Sequence, residues 1–134
     1  MTRDLLASLG DEKFVSLTTF KRNGDAVASA MWIARDGESL VAWTPADTWK
    51  VKRVARDPRV TLTASGRTGK VAENAPVFAG SAEVLRDPGE VAGVEGLIKR
   101  KYGFEFRIIT FVEAVISRGR KPRVALRITP ASAD

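Results

Sequence analysis

Two dipeptides that tolerate positive φ angles, Asn23-Gly24 and Asp36-Gly37, stand between runs of apolar and β-branched residues and force the first part of this chain into tight reversals. Phe14–Phe20 and Val27–Ala34 therefore read as two antiparallel strands around Lys21-Arg22-Asn23-Gly24-Asp25. After Asp36-Gly37, Glu38–Trp43 adds a third strand, and the three together predict a meander. No strand is followed by GxGxxG and no GxxxxGK[ST] occurs, so a doubly wound parallel sheet with the usual nucleotide loops is not expected.

Leu40–Val60, reading LVAWTPADTWKVKRVARDPRV, carries the chemistry. Its first residues form a buried strand. Thr44-Pro45-Ala46-Asp47 is a turn, and Asp47 or Thr48 can cap a helix that runs to about Arg56 and is closed by Asp57-Pro58. Free amides at such a helix start attract anions, and Thr44 and Lys50 add a hydroxyl donor and a full charge beside them. On a helical wheel Val51, Val54 and Ala55 share the packing face, Lys50 sits at its edge, and Lys52, Arg53 and Arg56 turn away. The spacing is equally compatible with an ordinary solvated basic helix.

Further along, Val60–Ala64 is a fourth strand and Gly66–Lys70 a flexible basic loop; Val77–Leu85 is a fifth, with Gly80 at a bulge or a close backbone contact. Asp87-Pro88-Gly89 opens a helix with Val91, Val94, Leu97 and Ile98 on one stripe, ending at Gly103. Its Lys99-Arg100-Lys101 end suits the helix dipole and asks for no functional explanation. Phe104–Arg118 alternates like a strand at its start but carries a helical stripe throughout, and its length favours a helix packed on the domain or on a second subunit. Gly119–Pro122 breaks it, and Arg123–Thr129 is a sixth strand. The expectation is an all-β or α+β class: an antiparallel six-stranded barrel with peripheral helices, residues 1–134 forming a single domain.

Composition narrows the chemistry. Of the 134 residues none is cysteine, which removes disulfides, thiolate nucleophiles and Cys-based metal sites, and none is histidine. Without imidazole there is no Ser-His-Asp triad and no side chain that titrates near neutrality unperturbed. Acid–base work would fall to carboxylates, lysines or the single Tyr102, so a bound cofactor is the expected agent of any reaction. Lys and Arg number 22 against 16 Asp and Glu, and the net charge of +6 favours anionic ligands. A nucleic-acid binder ranks last, for want of a recognition helix or an aromatic RNA-binding motif. No window approaches ~18 consecutive apolar residues, so the chain is expected to be soluble and cytoplasmic, without a membrane partner.

Three segments, EKFVSLTTFKRNGDAVASAMW at Glu12–Trp32, TPADTWKVKRVARDPRVTL at Thr44–Leu62 and KRKYG at Lys99–Gly103, resemble the pyridoxamine-phosphate-oxidase-like split barrels. The closer likeness is to their flavin/deazaflavin oxidoreductases, and above all to the small actinobacterial members. The resemblance implies a homodimer with two cofactor sites at the interface, the Gly66-Arg67 loop closing the pocket from the partner chain. It implies that Thr44 and Lys50 hold the cofactor phosphate with help from Arg53, and that the ring lies along Ser29, Ala30, Met31, Trp32 and Ile33. Trp49 stands where some relatives place an arginine, and Ala30 where proline is frequent. No terminal arginine-leucine motif is present, so a vitamin-B6 oxidase is not implied.

The implied cofactor is coenzyme F420, whose phosphodiester and polyglutamate tail ask for a longer basic track than FMN; Lys50, Lys52, Arg53, Arg56, Arg59 and Arg67 are candidates to supply one. FMN is the alternative. The implied reaction is hydride transfer from reduced deazaflavin to a small unsaturated substrate, with no catalytic side chain and no metal. The competing implication is a noncatalytic carrier of flavin, deazaflavin or linear tetrapyrrole.

Overall fold

The computed structural model describes residues 2–117 and 122–131, with side chains left out of account at Thr2 and at 113–117. Helix α1 (Thr2–Gly10) precedes β1 (Phe14–Phe20), β2 (Ala26–Met31), β3 (Ala34–Asp36) and β4 (Ser39–Pro45). Then come α2 (Trp49–Arg56), β5 (Arg59–Ser65), β6 (Phe78–Leu85), α3 (Pro88–Tyr102), α4 (Phe104–Ser117) and β7 (Arg123–Pro130). One antiparallel sheet runs β2-β1-β5-β6-β7-β4-β3. The class is α+β, a split barrel as expected, but it has seven strands and not six.

The extra strand comes from a break in the expected Val27–Ala34 segment. β2 pairs only with β1, Val15 facing Met31, whereas β3 pairs only with β4, Ala34 facing Val41. Two residues, Trp32 and Ile33, carry the chain from one edge of the sheet to the other. The meander is corrected accordingly: β4 lies between β3 and β7, not against β2.

The break is held by α3. The Ile33 amide donates to the Tyr102 hydroxyl at 2.9 Å, and Lys101 Nζ donates to the carbonyls of Ile33 (2.6 Å), Glu12 (2.5 Å) and Gly10 (2.8 Å). These groups replace the ladder bonds that a continuous strand would have supplied. Lys101 thus does more than complement a helix dipole.

Turn chemistry explains the rest. Gly24 and Gly37 adopt φ of 93° and 62°, and Asp36 faces Ser39 across a two-residue hairpin. Asp87 caps α3 by accepting from the Glu90 amide at 3.0 Å, with Pro88 in its first turn, and Gly103 ends it at φ 53°. A methyl group on Gly80 would lie 2.9 Å from the Thr129 carbonyl, so this glycine marks a close strand approach.

Alternate residues of β4 feed two cores. Leu40 and Ala42 join Leu6, Leu9, Leu17, Leu62, Phe78 and Leu126 inside the barrel, while Val41 and Trp43 join Val94, Ile98, Tyr102 and Phe106 beneath α3 and α4. Helix α1 is an element the sequence reading does not include, although Leu5, Leu6 and Leu9 repeat at helical spacing and Leu6 and Leu9 are buried. α4 is the helix expected, but its stripe does not pack on the domain. Phe104, Ile108, Phe111 and Val112 are exposed, and Phe106 is the residue that buries, its ring 5.3 Å from that of Trp43. Arg118 and the expected break at Gly119–Pro122, Pro122 excepted, lie outside the described residues.

Candidate functional site

A cleft of about 300 Å³ opens where β2, β4, β7 and α4 meet. It is lined by Thr44 and Pro45, by Ala30, Met31 and Trp32 of the β2 end, by Trp43, and by Ile109 and Thr110 of α4; Lys50 and Arg123 bring positive charge. Trp43 is held by Phe106 and by the Arg123 guanidinium, 4.0 Å from its ring. Thr44 and Lys50 meet because β4 runs through the turn directly into α2, whose Val51 and Val54 anchor it in the core. Ala55, assigned to that packing face from the sequence, is exposed; eight residues of helix offer too narrow a contact to bury it.

The electrostatics are asymmetric. Thr44 is 1% exposed, yet its Oγ1 has no hydrogen-bond partner among the described residues. Lys50 is half-buried with neither an ion pair nor a hydrogen bond there. Burial lowers its pKa, and the neighbouring Arg53 and Arg123 lower it further by repulsion. A buried hydroxyl without a partner and a desolvated ammonium without a counter-ion both carry an unmet cost that an anion would relieve. No side chain caps α2 either: Thr48 is the N-cap residue, but its hydroxyl turns back to the Pro45 carbonyl at 3.2 Å.

The other expected residues are distributed around this cleft. Ser29 is half-buried on β2, opposite Leu17. Ile33 is in the core with both its backbone groups engaged by Tyr102 and Lys101, so the chain has already used them internally. Trp49 and Arg53 face a different hollow, of about 700 Å³, shared with Lys21, Arg22, Lys52 and Arg56. There Trp49 is 69% exposed beneath the Lys52 ammonium, 4.5 Å from its ring centre, and Arg53 donates to Thr19 Oγ1 at 2.7 Å. Arg59 is neutralised by Asp57 at 2.8 Å, which holds that carboxyl down at about 2.

Arg67 lines a third hollow beside the cleft, and its loop lies against its own chain's β2: a methyl on Gly69 would stand 3.9 Å from Ala30 Cβ. Arg123 was not singled out from the sequence. Its only signal there was alternation with Val124 on a strand whose neighbour was unknown; the pairing of Arg123 with Pro45 is what delivers it.

Among the described residues no group of three or more His, Cys, Asp and Glu side chains is arranged to hold a metal, and no helix is long and apolar enough to cross a membrane. The donor set fits an anionic organic ligand: one hydroxyl and two cations beside aromatic and apolar walls.

A profile of the pyridoxamine 5'-phosphate oxidase family matches residues 1–134. No curated protein matches the chain. Among solved structures, a conserved hypothetical protein from Mycobacterium tuberculosis is 23% identical, with a TM-score of 0.70 over 98% of this chain and 82% of that one. A protein described as an F420 reductase is 19% identical with a TM-score of 0.59, covering 93% and 92% of the two chains. The heme storage protein HutZ from Vibrio cholerae is 12% identical with a TM-score of 0.67, covering 97% and 89%. At these identities the structures share the fold, and the family rests on the match along the whole chain. Matched by that profile along its whole length and folded as a split barrel, this chain belongs to the pyridoxamine 5'-phosphate oxidase family.

Proposed function

We propose that this protein is an F420-dependent oxidoreductase that reduces a small unsaturated substrate, acting as a homodimer with the cofactor seated in the Thr44–Lys50 cleft. The observation that carries the reading is the pairing of an orphaned, fully buried Thr44 hydroxyl with an uncompensated Lys50. When bound, the reduced deazaflavin supplies the hydride. Thr44 and Lys50, with Arg123, would hold its phosphodiester; Ala30, Met31 and Trp32, with Ser29 next to them on β2, would wall the ring; Ile109 and Thr110 would shield it from water.

The deazaflavin is favoured over FMN by the second hollow. Trp49 and Lys50 are consecutive on α2 and so point about 100° apart around its axis. An anionic tail leaving Lys50 meets Arg53, Lys52, Arg56, Lys21 and Arg22 on the adjoining face, with no carboxylate among the lining residues. Heme carriage, the role named for the Vibrio protein, finds neither histidine nor cysteine here to bind iron.

The decisive variant is Thr44→Val. Valine keeps the shape and removes the unsatisfied hydroxyl, so thermal stability is expected to hold or rise, by up to about 1 kcal/mol, while cofactor affinity falls by a similar amount. Titration of both proteins with F420 and with FMN, read by tryptophan quenching, measures this. A Thr44→Val protein that is less stable and binds both cofactors as before would show that the hydroxyl serves the fold and not the site. Bleaching of reduced F420 with enone or quinone acceptors separates an enzyme from a carrier.

A further inference from the structure

Trp32 and Ile109 are walls shared by the cofactor cleft and by a separate hollow of about 410 Å³, whose remaining lining is Phe14, Arg67, Glu105 and Ile108. The two spaces are neighbours across one indole and one isoleucine. The hollow's walls are aromatic and aliphatic, and it contains two charges of opposite sign that differ in one respect. Glu105 already has a cation, since Lys13 Nζ lies 2.8 Å from its Oε1. Arg67 is exposed and makes neither an ion pair nor a hydrogen bond among the described residues. The hollow therefore presents an apolar slot with one uncompensated guanidinium at its edge.

We infer that this hollow is a binding site, beside the cofactor cleft, for planar, apolar monocarboxylates of the arylacrylate type, their ring between Phe14, Trp32 and Ile108 and their carboxylate on Arg67. Guanidinium matches a carboxylate with two parallel donors, and the aromatic walls suit a flat, unsaturated body. The Lys13–Glu105 pair is part of the specificity, because it keeps a second carboxylate from repelling the anion. Trp32 is held rigid as a wall, since it stacks on Tyr102 with ring centres 4.2 Å apart and planes 11° apart. This binding chemistry stands independently of the deazaflavin reading above.

The test uses the protein without cofactor and two probes, trans-cinnamate and its neutral amide, measured by calorimetry. Cinnamate is expected to bind more tightly than the amide, Arg67→Ala to weaken cinnamate about tenfold and leave the amide unchanged, and Arg67→Lys to retain part of the affinity. Lys13→Ala, which releases the Glu105 charge, is expected to weaken cinnamate by a smaller factor, roughly threefold. Equal affinity for acid and amide, or an Arg67→Ala protein that binds cinnamate as the wild type does, overturns the assignment. The same cinnamate results in a protein that fails to bind F420 would leave the chamber standing and remove the cofactor reading.

Discussion

Replacing Tyr102 with phenylalanine isolates a single hydroxyl whose surroundings are fully specified. The oxygen accepts from the buried Ile33 amide at 2.9 Å and lies 2.7 Å from the Lys13 carbonyl and 3.0 Å from that of Ile33, to one of which it donates. Its loss leaves the Ile33 N–H without a partner, at a cost of about 1–3 kcal/mol, while the stack on Trp32 remains. Tyr102→Phe is therefore expected to be about 2 kcal/mol less stable than the wild type in urea unfolding near neutral pH.

The difference should depend on pH. Burial disfavours the phenolate and pushes the Tyr102 pKa up to about 12. In the unfolded chain a tyrosine ionises near pH 10, so between about 10 and 12 the folded state binds more protons than the unfolded one, and wild-type stability falls with rising pH. The contribution is intact below about pH 10 and amounts to a loss of about 2 kcal/mol by pH 12. Phenylalanine has no such titration, so the two stability curves should converge near the top of that window. Tyr102 is the single tyrosine of the chain, so the near-ultraviolet tyrosinate band reports its ionisation alone. A gap that stays constant through the window, or a native tyrosinate midpoint near 10, would refute the argument.

Two further outcomes can be checked independently. Because burial and the neighbouring Arg53 and Arg123 lower the Lys50 pKa, cofactor binding should weaken at alkaline pH before an ordinary lysine would titrate; Lys50→Arg should move that limb upward in fluorescence titrations, since guanidinium keeps its charge. Gly80→Ala places a methyl 2.9 Å from both the Thr129 carbonyl and the Phe78 ring, and should lower thermal stability by about 1–3 kcal/mol.

Local chemistry was legible in the sequence wherever it decides the outcome locally. The turns at Gly24 and Gly37, the Asp87-Pro88 start and Gly103 end of α3, and the closure of α2 at Asp57-Pro58 all stand where their residues dictate. Pairing was not legible. Val27–Ala34 is apolar except for Ser29, and nothing in its pattern announces that Trp32-Ile33 leaves one strand partner for another; that is decided by Tyr102 and Lys101, many residues away. The turn joining Thr44 to Lys50 was visible because it is contiguous, whereas Arg123 reaches the same cleft through the register of β7 on β4. The stripe of α4 could not reveal its direction, since an apolar face reads the same whether it meets the domain or the exterior.

The position of β7 has a consequence for the order of assembly during synthesis. Every other strand is made before it, yet it is the sole bridge between β6 and β4, with Ile128 facing Ala82 on one side and Leu40 on the other. A nascent chain that has not reached Arg123 can zip β2-β1-β5-β6 and fold the β3–β4 hairpin, but the two pieces share no ladder. Because Thr44 stands on β4 and Arg123 on β7, the proposed ligand cleft is complete only once β7 has paired with β4, although its Thr44–Lys50 part is already joined by contiguous chain.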